Sequence, residues 1–194
     1  MTAPSADPSH LFTRAGWPDE LKILYAAHPR DTWPGHPNLG QMASFWLQRH
    51  AMFRELGTSL TGAAAQLRAG EMDAKSFASW FFPRAGFFLQ ELHTHHGIED
   101  HHYFPVFRAA DSRLARGFDV LDEDHHTIDA LIHRYAEDAN AFHAALKSGD
   151  PRAATDTLAS TADTTLTGLI RHLDDEEDLI IPLILERTEQ NLGV

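Results

Sequence analysis

Cysteine is absent from the 194 residues, which removes disulfides, thiolate-bound metals and iron–sulfur clusters from the chemistry open to the chain. Long apolar runs are absent as well. None approaches the roughly 18 residues that a membrane-crossing helix needs. The N-terminus, MTAPSADPSH, lacks the basic-then-apolar layout of a signal peptide, so the cytoplasm is the expected compartment. Positive charge is scarce, with 16 Lys and Arg against 28 Asp and Glu, and the formal charge of −12 argues against nucleic acid and anionic membrane as partners. No sustained period-two run suggests a strand. What is present is 43% hydrophobic residues, ordinary for one globular domain with a real core. Fourteen histidines are the anomaly.

Residues 1–38 are rich in Pro, Gly and Trp and carry no long period. Trp17-Pro18-Asp19-Glu20 reads as a helix start, with proline at the first helical position and acids in the first turn. This N-terminal extension is expected to hold one short helix, residues 18–27. The stretch 28–40 reads as a loop broken by Pro34, Gly35 and Pro37, with His28 and His36 on its surface.

From 39 to 190 the period is helical. Met42, Trp46, His50, Phe53, Leu60, Ala64 and Leu67 recur at steps of three, four and seven, and Gly70 ends the run. Asp73 reads as the next N-cap, and Phe88, Leu92, His95, Glu99, His102 and Val106 form the second stripe, kinked or restarted by Pro83. The third stripe is unbroken through Leu114, Phe118, Leu121, His125, Ile128, Ile132, Tyr135, Ala139, Phe142 and Leu146. After KSGDP, the fourth runs through Leu158, Ala162, Thr165, Leu169, His172, Glu176, Leu179 and Leu183. Four long amphipathic helices with short connections predict an all-α, up-down-up-down four-helix bundle.

Polar residues interrupt these stripes in a repeated pattern. His95, Glu99 and Pro105 have the same spacings as His172, Glu176 and Pro182. A single histidine precedes each pair, His50 by 45 residues and His125 by 47. Their heights agree: His50 lies 20 residues before Gly70 and His95 22 after Asp73, while His125 lies 23 before Ser148 and His172 22 after Asp150. Mismatches of one or two residues are only ~1.5–3 Å along a helix, so the four histidines are expected in one layer. Burying imidazoles and carboxylates without partners costs several kcal/mol per charge. One hydrogen-bonded pair would explain one copy, whereas two matched copies point to metal. Nitrogen and oxygen ligands without sulfur suit Fe, Mn or Zn.

The segments HHGIEDHHYFP and RHLDDEEDLIIP, with FWLQRHAMF and DEDHHTID, resemble the hemerythrin-like (His-His-Glu cation-binding) family over about residues 40–186. The resemblance implies a four-helix bundle holding two iron ions joined by an oxo or hydroxo bridge. His50 and His95 would then bind one iron, His125 and His172 the other, with Glu99 and Glu176 bridging. Two positions depart from the oxygen-carrying members. Asp129 stands where they have a second histidine on the third helix, and Glu176 lies four residues after His172 where they use an aspartate at five. With fewer imidazoles, redox chemistry or sensing of O2, NO or peroxide is expected over reversible O2 carriage.

A ferritin-like assignment needs Glu-x-x-His twice. Glu99–His102 and Glu123–His126 match that string, but Glu123 and His126 lie off the third stripe and Glu55 off the first. His102, on the stripe one turn from Glu99, and Asp129, one turn after His125, are additional candidates for ligation or for holding a ligand. His93, His96, His101, His126 and His143 flank the stripes, and the DDEED run at 174–178 reads as a solvated face apart from Glu176. The functional alternatives are a metal-buffering protein and a signalling module without turnover. The sequence leaves turnover and oligomeric state open.

Overall fold

The computed structural model describes residues 10–194, and no strand occurs among them. Helix α1 spans Ile23–Ala27, between 3-10 turns at Asp19–Leu21 and Arg30–Thr32. Four long helical stretches follow: α2 (Gln41–Ala69), α3 (Ala74–Ile98) continued by a π turn (Glu99–Tyr103) and α4 (Phe104–Ala110), α5 (Ala115–Ser148) and α6 (Arg152–Arg187). A last turn, α7, covers Glu189–Leu192. No helix among the described residues is long and apolar enough to cross a membrane.

The helix ends follow the expected chemistry. Gly70 ends α2 at φ +74° and Gly149 ends α5 at φ +92°, the left-handed conformation in which a missing Cβ costs nothing. Asp73 Oδ1 caps α3 by accepting from the Lys75 and Ser76 amides at 3.1 and 3.0 Å. The single short helix expected at 18–27 is instead two pieces parted by Lys22, whose backbone (φ −87°, ψ 3°) leaves the helical region.

The chain forms two compact units, to both of which the four long stretches contribute. One contains the chain up to His50, Gly97–His126 and Arg171–Val194, and the other Ala51–His96 and Thr127–Ile170. The core of the first gathers Trp46, Phe104, Phe107, Phe118, Leu121 and Ile180–Leu185 apolar side chains, and adds Trp17, Leu21, Leu24 and Trp33 from the N-terminal segment. The second buries Phe53, Phe77, Phe81, Phe88, Ile128, Ile132, Tyr135, Phe142, Leu158 and Leu169.

Pro83 does not divide its helix, since α3 runs through it. A proline inside a helix costs about 3 kcal/mol, while burying each of Phe77, Phe81 and Phe88 is worth about 1.5–3 kcal/mol. Packing wins. The interruption comes 16 residues later, at the π turn that starts with Glu99. A π turn takes up an extra residue, so the buried face steps from Glu99 to Phe104 and Phe107. His102 is turned outward and exposed.

Candidate metal centre

His125 and His172, buried on α5 and α6, approach with Nε2 atoms 3.1 Å apart. Each ring rests its other nitrogen on a carboxylate. His125 Nδ1 lies 2.6 Å from Asp100 Oδ1, and His172 Nδ1 lies 3.3 Å from Asp124 Oδ2. A carboxylate accepts but does not donate, so the proton belongs on Nδ1 and the Nε2 lone pair faces inward. Phe104 stacks on the His125 ring at 5.2 Å and 21°, covering one face of it with hydrocarbon.

His50 on α2 follows the same rule, with Nδ1 held by Glu177 Oε1 at 3.0 Å. Its Nε2 lies 3.7 Å from Glu176 Oε2, which also stands 3.3 Å from His172 Nε2. One carboxylate oxygen thus lies near two imidazole nitrogens. The Trp46 indole donates to the other oxygen, Glu176 Oε1, at 2.9 Å and fixes the plane of the group. Glu99, 1% exposed, brings Oε2 to 3.5 Å from His125 Nε2. His50, Glu99 and Glu176 offer ligand atoms within 4.8 Å of one another.

The electrostatics identify what this donor set suits. Burial, then the charge of Glu176, pushes the Glu99 carboxyl well above its ordinary range. Burial alone would push the His172 imidazolium down, but hydrogen bonds to Asp124 and Glu176 override it and hold it at about 9. Burial wins at His125, whose pKa is lowered although Asp100 opposes it. The two Nε2 atoms thus face each other with the carboxylates of Glu99 and Glu176 beside them. Imidazole and carboxylate without sulfur fit iron, manganese or zinc.

The six residues expected as ligands fare as follows. His50, Glu99, His125, His172 and Glu176 are brought together as described. His95 lies one turn before Glu99 on a continuous helix, on the Glu99 side, with its ring 5.2 Å from that of Phe53. His96, expected at the flank, is buried one turn before Asp100. The two additional candidates lie elsewhere: His102 is exposed because of the π turn, and half-exposed Asp129 pairs with His93 at 3.0 Å.

The acidic run needs the larger correction. Besides Glu176, which was expected inside, Asp175 and Glu177 are buried, and residues of the N-terminal segment pair with them. Arg14 Nε reaches Asp175 Oδ2 at 2.7 Å, and Arg30 Nη1 reaches Glu177 Oε2 at 2.7 Å. The supporting carboxylates Asp100, Asp124 and Glu177 escaped the sequence reading. All three carried a signal, since Asp100 follows Glu99, Asp124 precedes His125 and Glu177 follows Glu176 directly. Arg14 and Arg30 carried none, being over 100 residues from their partners.

Comparison with known proteins finds one family match. The model of the hemerythrin HHE cation binding domain matches residues 41–184. No curated protein and no solved structure matches the chain.

Proposed function

The chain belongs to the hemerythrin HHE cation-binding family, and from that premise we propose that its histidine–carboxylate layer holds two iron ions for binding or reacting with O2, NO or peroxide, in redox response or sensing. The carrying observation is the orientation of His50, His125 and His172. Each spends Nδ1 on a carboxylate and turns Nε2 toward Glu99 or Glu176. In this reading the four long helices form an up-down-up-down bundle. His50, His95, Glu99, His125, His172 and Glu176 would hold the ions, with His96 as a further imidazole beside them. Bound iron would supply redox chemistry and an open coordination position for the small ligand.

The chain's own contribution is to hold and to shield. Asp100, Asp124 and Glu177 fix the imidazole planes, and Trp46 fixes Glu176. Phe104 and Trp46 keep bulk water from the buried carboxylates. The surface pairing of Asp129 with His93 leaves α5 without the extra imidazole of oxygen carriers, which favours reactivity over carriage. Protein expressed in iron-replete cells should contain two irons per chain and absorb in the near ultraviolet. One zinc per chain, with no iron taken up by the apo-protein, would overturn the reading.

A further inference from the structure

Arg14 is a buried charge outside the matched residues, its side chain 2% exposed. Taking a guanidinium out of water costs several kcal/mol unless carboxylates surround it. Here they do. Nη1 and Nη2 of Arg14 donate to Asp124 Oδ1 and Oδ2 at 2.7 and 2.5 Å, and Nε donates to Asp175 Oδ2 at 2.7 Å. Asp124 Oδ2 is the same atom that faces His172 Nδ1. Arg30 repeats the arrangement at a second histidine. Its Nη1 donates to Glu177 Oε2 at 2.7 Å, while Glu177 Oε1 takes His50 Nδ1 at 3.0 Å.

We propose that the N-terminal segment is part of the centre, and that Arg14 and Arg30 are positioning residues acting on His172 and His50 through Asp124 and Glu177. The inference rests on the cation reading above. The planar fork of arginine fixes the plane of a carboxylate. That leaves one direction in which the carboxylate meets the imidazole, so the ring's tautomer and aim are set from behind. Each arginine also stands as a positive charge behind the histidine it serves. That charge holds electron density on the carboxylate, away from the metal-facing nitrogen, and favours the lower oxidation state of bound iron.

The segment has other anchors. The Trp17 indole donates to Asp175 O at 2.7 Å, Arg171 Nη2 donates to Arg14 O, and Trp17, Leu21, Leu24 and Trp33 lie in the core. Losing one guanidinium therefore leaves the segment docked.

The test uses the full-length, iron-loaded chain with R14Q, R14K, R30Q and R30K, and with R134Q as a control that removes an exposed arginine's pair to Asp138. Release of iron(II) to excess chelator should quicken about 10-fold or more in R14Q and R30Q. Their reduction potentials should fall, because a positive charge is gone. The lysine variants keep the charge but not the fork, so they should hold the potential while losing part of the retention. R134Q should match the wild type in both. If R14Q is too unstable to isolate, R30Q carries the test, its side chain being 38% exposed. Glutamine variants that melt lower but keep wild-type release and potential would make the arginines purely structural and overturn this inference alone. A wild-type chain that binds no metal would overturn the cation reading and this inference with it.

Discussion

His125 Nε2 and His172 Nε2 stand 3.1 Å apart, each ring backed by an aspartate of its own. Neutral rings in that tautomer would turn two lone pairs on each other, so the pair needs a positive charge between them. That requirement makes the supporting carboxylates as testable as the ligands.

Replacing Glu99 or Glu176 by Ala should cost at least one of the two irons per chain, whereas His101→Ala should cost none. Both glutamates are buried beside imidazole nitrogens, while His101 is exposed with Nδ1 on the Gly97 carbonyl. Metal analysis of the purified variants checks this. Equal metal loss at all three positions would contradict it.

Removing the metal should lower the melting temperature by roughly 10 °C. A cation present at about a thousand times its dissociation constant stabilises by about 4 kcal/mol, and each kcal/mol moves the midpoint of a chain this size by about 2–4 °C. Calorimetry of apo and loaded protein reads the difference. An unchanged melt would mean that the layer is satisfied by its own hydrogen bonds.

Asp129→Ala should leave metal content, spectrum and reduction potential as they are. Its partner His93 is 62% exposed, and exposed pairs are worth under about 1 kcal/mol. Asp100→Asn should behave differently, because Asp100 holds His125 Nδ1 at 2.6 Å. Losing such a partner typically weakens metal binding about 10–100-fold. Competitive titration with a chelator separates the two variants.

Asp111 should add an acid-sensitive contribution away from the ligands. Hydrogen bonds from Arg113 outweigh burial and pull its carboxyl down to about 2, below the ordinary value of about 3.9. A group depressed by folding stabilises above its unfolded value, and that stability fades as pH falls from about 4 to about 2. Arg113 is half exposed, so solvent screening trims the gain to about 1 kcal/mol. Asp111→Asn should be less stable than wild type by that amount at pH 7 and nearly equal to it at pH 2.5. Denaturant melts at both values decide it.

The long helices were legible because burial follows period. Nine of the ten residues in the Leu114–Leu146 stripe are buried, and Gly70 and Gly149 end helices as their chemistry requires. The interior histidines and glutamates were legible because they occupy stripe positions where water cannot reach. Two things were not. The second stripe failed after Glu99, since a strict helical period cannot foresee a π turn, and His102 was wrongly kept inside. Asp175 and Glu177 looked solvated because their partners are Arg14 and Arg30. Local pattern carries no information about such distant pairings.

The π turn has a consequence for the register of its own helix. One surplus residue puts everything downstream out of phase with everything upstream by about 100°, so Glu99 and Phe104 can both face inward. Deleting His101 would restore the regular phase. Phe104 would then stand four residues after Glu99, so a regular α turn would keep Phe104 and Phe107 on the hydrocarbon they now pack against, and the shortened chain should melt close to its parent whether or not it is loaded. The bulge is what lets one continuous stretch serve two masters, a polar layer above and an aromatic floor below, each with its own angular origin.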